Sequence, residues 1–418
     1  MDYIISQNQN MMNKNKLAIA LLTGLTISLS SCGDDDGGKP DISVPDTYAF
    51  KRDGSSTVSF SGQTTRIAMA EEILSAFMVE TNTEAIIDGM FAHEEGNANF
   101  SNADLNASDK NVRSKTAASA DYFSANTVLA AEIKEDFDGW IAAQVSEVFP
   151  SWEMEASAGV AGKIEQAGGG STRYVNAKGL ELNQAFAKGL IGALMTDQIL
   201  NNYVSEAVLD AGENVPNNDA GIVEEGENYT SMEHKWDEAY GYLYGAAANG
   251  ADPRSTVGSD DSFLNKYLGS VNSDEDFAGI ADEVFDAFKL GRAAIVAGDY
   301  DLRDVQADII RANLSKVIAV RSVYYLEAGA AGLGEANPDM ASIFHSLSEA
   351  YGFIYSLQFT RNPNTDAPYF TRAEVEAFLT DSMDDGDNGL WDVEASTLTS
   401  ISSQIAEEFD FTVAEARN

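Results

Sequence analysis

His234-Lys235-Trp236-Asp237-Glu238-Ala239-Tyr240-Gly241-Tyr242-Leu243-Tyr244 recurs 111 residues further on as His345-Ser346-Leu347-Ser348-Glu349-Ala350-Tyr351-Gly352-Phe353-Ile354-Tyr355. Six of the eleven positions are identical, and Tyr242/Phe353 and Leu243/Ile354 are conservative changes. A chance match of His, Glu, Tyr, Gly and Tyr in one register is improbable. Each copy lies late in its half of the chain and follows a long apolar stretch. The repeat predicts an all-α fold of duplicated helical bundles related by a pseudo-two-fold axis.

On a helix, His234 and Glu238 stand at i and i+4 and share a face, as do His345 and Glu349. Asp237 adds a carboxylate to the first copy, where the second has Ser348. If the two faces met, two imidazoles and two carboxylates would surround one centre, a donor set suited to iron or zinc. The same pattern is also an ordinary helix contact. A buried, satisfied His–Glu pair would pin helix register, with Tyr240 and Tyr351 filling space and Gly241 and Gly352 permitting close approach. The preferred reading is this structural one, and the ligand or metal candidates kept beside it are His234, Asp237, Glu238, His345, Glu349, Tyr240 and Tyr351.

Outward from the repeat, apolar residues recur at helical spacing from about residue 66 onward. Helices are expected over 117–148, broken near Asp138-Gly139, over 180–209, 233–248, 276–297, 302–328 and 340–359, and near 372–382 and 395–408. Gly189 and Gly192 inside the second of these imply close packing, because glycine costs a helix interior about 1 kcal/mol against alanine. Gly168-Gly169-Gly170-Ser171 reads as a linker, 211–227 as loop, and His93 as surface. Residues 41–65 differ in texture. Thr57-Val58-Ser59-Phe60-Ser61-Gly62 alternates and Asp53-Gly54 signals a turn, so a short extended or β arm is expected there. The bundle halves fall at roughly 66–250 and 258–418.

Composition bounds the function. There are 26 Lys+Arg against 67 Asp+Glu, a net charge of −41, with one Cys and three His. Such acidity excludes nucleic acid as a partner, since phosphates need basic surfaces. One Cys excludes a disulfide framework and a Cys-based zinc finger. That Cys, Cys32, ends an uncharged Leu17–Leu29 run that follows Lys14 and Lys16. The order is that of a secretory signal, and Leu29-Ser30-Ser31-Cys32 resembles a bacterial lipobox, in which the thiol is lipidated and the chain cleaved before it. Residues 1–31 are therefore expected to be a lipoprotein signal peptide, 32–44 an acidic tether and 45–418 the helical domain. Asp34-Asp35-Asp36 resembles the signal that sends some Gram-negative lipoproteins to the outer face of the outer membrane.

The stretch Met232 to Tyr242 is similar to the signature of an uncharacterised family of bacterial lipoproteins carrying a domain of unknown function. Thr57 to Arg66, Thr360-Arg361-Asn362-Pro363 and Pro368-Tyr369-Phe370 resemble further segments of it, so the likeness spans about 45–415. That family looks imelysin-like. The resemblance implies two helical bundles from a duplication, in envelope proteins linked to iron or haem uptake and an uptake receptor. Imelysins were named as peptidases and carry His-x-x-Glu, whereas here Asp237 and Ser348 hold that third place and the matched Glu lies one residue on.

Asp381 to Asp392 adds a weaker candidate. Asp381, Asp385, Asp387 and Asp392 flank Gly386, which is sixth as in an EF-hand calcium loop, but Met383 replaces the third ligand and Asp392 the final Glu. The function expected is a surface-exposed outer-membrane lipoprotein that binds a ligand without catalysis, with iron, zinc or haem as cofactor classes. The alternatives are a metal-dependent peptidase and a structural or interaction lipoprotein.

Overall fold

The computed structural model describes residues 42–417; the expected signal peptide, Cys32 and most of the tether lie outside them. The N-terminal arm carries a hairpin of β1 (Lys51–Arg52) and β2 (Ser55–Ser56). Its turn residues Asp53 and Gly54 have φ of 52° and 83°, the doubly left-handed geometry that Asp-Gly favours. Then follow α1 (Ser61–Ala76), α2 (Glu84–Phe91), the single turn α3 (Ala103–Asn106) and α4 (Thr127–Ala143). A second hairpin, β3 (Gly162–Glu165) with β4 (Thr172–Val175), precedes α5 (Leu182–Leu190). The helical path continues from α5 through π-helical turns at Ile191–Thr196 and Ile199–Tyr203, buried along almost its whole length.

After the short α6 (Glu206–Leu209) and α7 (Asn214–Asp219) come α8 (Ser231–Tyr244), α9 (Leu264–Asn272), α10 (Ile280–Ala297) and α11 (Tyr300–Leu333). The chain ends in α12 (Met340–Ser356), α13 (Arg372–Met383), α14 (Ala395–Glu408) and α15 (Val413–Ala416). The fold is all-α, with two small hairpins. The 34-residue α11 is its spine, packed along α10, α12 and α14. Local chemistry sets the ends. Thr230 and Glu233 form a capping box at the start of α8, and Gly298, at φ 72°, closes α10 in the left-handed conformation.

Both repeat copies are helical, on α8 and α12. The close approach expected at two glycines is present: a Cβ on Gly189 would lie 2.9 Å from Trp140, and one on Gly192 would lie 2.5 Å from Ser356. Several expectations are corrected. Gly168 to Ser171 is no linker but the hairpin turn between β3 and β4, with Gly168 and Gly169 at φ 80° and 85°. The helix expected over 117–148 begins only at Thr127 and runs unbroken through Gly139. Before it, the Ala118 and Ser119 amides donate to the buried Asp197 carboxylate, which holds that segment out of a helix. The loop at 211–227 contains α7. His93 is buried at 1 % exposure, its Nδ1 2.7 Å from Asn99 Oδ1 and its ring edge-on to Phe100. Among the described residues no helix is long and apolar enough to cross a membrane.

Two glycine-to-alanine changes separate packing from propensity. Gly291 faces the buried Trp236 ring, where a Cβ would sit 2.1 Å from Cζ2, so Gly291→Ala should lower unfolding stability by about 1–3 kcal/mol. Gly139 has nothing within 4 Å of an added Cβ, so Gly139→Ala should raise stability by up to about 1 kcal/mol. Urea unfolding midpoints check both signs.

Candidate functional site

In the first copy the arm and two helices, α8 and α10, meet at one guanidinium. Arg292 on α10 is fully buried. Its Nε donates to Asp237 Oδ1 at 3.0 Å, Nη1 to Glu233 Oε1 at 3.0 Å and Nη2 to Thr57 Oγ1 at 3.0 Å. Tyr48 donates to the same Asp237 oxygen at 2.7 Å, and the Ser59 amide donates to the other at 3.3 Å. Arg52 adds a fork onto Glu233, at 2.9 and 3.0 Å. Burial pushes the Asp237 carboxyl up to about 6, and Arg292 and Tyr48 pull against that rise. Tyr240 stacks on Tyr48, with ring centroids 3.7 Å apart, and donates to Gly250 O at 2.7 Å. Asp237 and Tyr240 thus clamp the arm to α8.

The other two residues of that copy part company. His234 stacks on Tyr229 at 4.4 Å, and its Nδ1 is buried without a hydrogen-bond partner among the described residues. Glu238 instead accepts from Gln63 Nε2 at 2.9 Å. The expected His234–Glu238 contact is therefore not made, because each side chain has a nearer neighbour from another segment.

The second copy holds a tighter cluster. Lys188 on α5 and Glu349 on α12, each 5 % exposed, form an ion pair at 2.8 Å. Tyr267 on α9 donates to Glu349 Oε1 at 3.0 Å, and Lys188 also donates to Gln184 Oε1 at 2.6 Å. His345 Nε2 stands 3.9 Å from Glu349 Oε2, while its Nδ1 donates to Glu181 Oε1 at 3.1 Å. Burial by itself raises the Glu349 carboxyl, but the Lys188 ammonium and His345 outweigh it and bring it down to about 2. Tyr351 is pushed up to about 12 by burial, with the Asp136 charge adding to it.

The two copies are built on one plan. Asp237 accepts from the Ser59 amide just before α1, and Ser348 Oγ accepts from the Glu181 amide at the N-cap of α5. Gly241 lies against Phe60 and Gln63, and Gly352 against Ala185 and Lys188. Each repeat helix therefore closes on the start of an earlier helix. The two His/Glu pairs share no hydrogen-bonding partner, and among the described residues no group of three or more His, Cys, Asp or Glu is placed to hold a metal. The conditional centre of two His and two Glu is thus not formed among the described residues.

The calcium-loop residues have local partners. Asp381 belongs to α13, and Asp387 is exposed. Asp385 accepts from the Glu394 amide at 2.9 Å and from Thr397 at 3.0 Å. Asp392 accepts from the Asn388 amide at 3.0 Å, closing the turn. A groove of about 380 Å³ lined by Asp381, Asp384 and Asp385 lies between α13 and α14. Sequence reading missed Arg292, Lys188, Tyr267 and Glu181. Lys188 had a signal, since a lone cation inside an apolar run is rarely buried without a carboxylate partner.

Fold and site together define an all-helical protein with two related helices whose acidic side chains are held by partners from distant segments. The chain belongs to the family described as a domain of unknown function (DUF4856), whose model matches residues 45–412. No curated protein and no solved structure matches it.

Lys188→Met should leave Glu349 buried and unpaired, lowering stability at pH 7 by about 3–5 kcal/mol. A carboxyl depressed from 4.5 to about 2 stabilises the fold above the unfolded value and loses that contribution as pH falls through the folded one. The deficit of the variant should therefore shrink between pH 4.5 and 2. Denaturant unfolding across that range checks it; a loss independent of pH would mean that Lys188 acts through packing alone.

Proposed function

We propose that this chain is a lipoprotein anchored through Cys32 on the outer face of the outer membrane, and that it binds a ligand without transforming it. The observation that carries the non-catalytic reading is the Glu349 carboxyl at about 2, fixed by Lys188. A general base works best with a pKa near the operating pH, and Glu349 stays ionised and paired throughout the neutral range. A catalytic zinc wants about three protein ligands and an open position, and neither repeat copy brings three together. The peptidase alternative draws no support from this geometry.

Iron or haem capture beside an uptake receptor enters through the imelysin-like likeness. Its support here is the second copy, where His345 keeps a quarter of its side chain exposed beside the Lys188–Glu349 pair. The first copy, sealed by the arm and Arg292, favours a structural role for Asp237 and Tyr240.

Two measurements test the reading. Cys32→Ser should abolish incorporation of a labelled fatty acid and move the protein from the membrane to the soluble fraction. Retained label would contradict the anchor. Titration of the full chain with haem, followed by absorbance, should saturate in the micromolar range, about 8 kcal/mol of binding free energy. A titration that is still linear at millimolar haem would remove the haem setting.

A further inference from the structure

Beside the Lys188–Glu349 pair stands an arginine with no carboxylate of its own. Arg321 on α11 lies over the rings of Tyr324, Tyr325 and Tyr267, its Cζ 4.0, 4.4 and 5.5 Å from their centroids. Its Nε is buried and has no hydrogen-bond partner among the described residues. A buried donor without an acceptor is unfavourable, and more so when it is charged. The contrast within the molecule is sharp. Arg52, Arg113, Arg292, Arg303, Arg361 and Arg372 each close on an Asp or Glu. Among the described residues only Arg66 and Arg173 share with Arg321 the lack of an ion pair, and Arg66 donates to the Asn111 and Gly62 carbonyls instead.

Its surroundings add to the case. Lys266, exposed on α9 next to Tyr267, has its ammonium 5.3 Å from the Tyr267 centroid and forms no ion pair among the described residues. The nearby carboxylates are already engaged: Glu349 by Lys188, Glu181 by His345, and Glu71 by the Ser262 amide at 2.7 Å. Arg321, Tyr324, Tyr325 and His345 are only half-buried, so solvent reaches the cluster.

We propose that Arg321 and Lys266 form a binding site for a small organic carboxylate with a flat apolar body. The ring centroids of Tyr324 and Tyr325 lie 4.0 and 4.4 Å from the guanidinium carbon of Arg321, and its terminal amino groups are left for a bidentate carboxylate. The tyrosine rings supply apolar surface for the rest of the ligand. The net charge of −41 repels a dianion more strongly than a monoanion, which selects carboxylate over phosphate. The proposal names the ligand class for the binding reading above and rests on it. The two fail separately: haem that saturates while benzoate does not would leave the binding reading standing without Arg321.

The test is calorimetric titration of the full chain with benzoate and, in parallel, inorganic phosphate. Benzoate should saturate in the millimolar range, and both Arg321→Met and Arg321→Lys should weaken it by about tenfold or more. Arg321→Lys keeps the charge and the stem while removing the fork, so it remains informative if Arg321→Met does not fold. Lys163→Met, which removes one charge from β3, should bind as the unchanged chain does. Benzoate that never saturates, phosphate that binds more tightly than benzoate, or Arg321→Lys that binds normally would each overturn the proposal.

Discussion

One ammonium set within an otherwise uncharged helix governs the second repeat. Lys188 and Glu349 are each almost fully withdrawn from water, and either one left alone there would cost several kcal/mol. At 2.8 Å, with Tyr267 and Gln184 filling remaining valences, both keep their charges. Gly352 allows the backbones of α5 and α12 to come close enough for this, since a Cβ there would meet Lys188 Cβ at 2.4 Å. Charge pairing and close packing therefore specify the same helix–helix contact.

The first repeat meets the same demand differently. Asp237 replaces a neutral Ser348, so a second buried charge has to be matched, and Arg292 on α10 matches it. The arm then covers the network through Tyr48, Thr57 and Ser59. One copy has become a sealed clamp. The other packs along α11 and takes a hydrogen bond from Tyr267 of α9. The two related helices differ in this way: one holds the N-terminal arm and the other holds Lys188 of α5.

The repeat, the helical class, the arm with its Asp53-Gly54 turn and the tight contacts at Gly189 and Gly192 were all legible in the sequence, because each depends on spacing or on local chemistry. The partners of the repeat were not. Arg292 lies 55 residues from Asp237, and Tyr267 lies 82 from Glu349; helical periodicity carries no information across such distances. The i,i+4 rule places His234 and Glu238 on one face, yet Tyr229 and Gln63 took them separately. His93 reads as polar and exposed beside an Asn-rich loop, but Asn99 supplies the hydrogen bond that lets it be buried. The glycine run at 168–170 suits a linker as well as a hairpin, and strand pairing decided between them.

The account comes down to the ionisation of one carboxyl group. Carbon-detected NMR titration of the Glu349 side chain in the full chain measures it directly. The structure calls for a midpoint at about 2 and no step between pH 4 and 7. A midpoint in the range of pH 5 to 7 would contradict the locked ion pair.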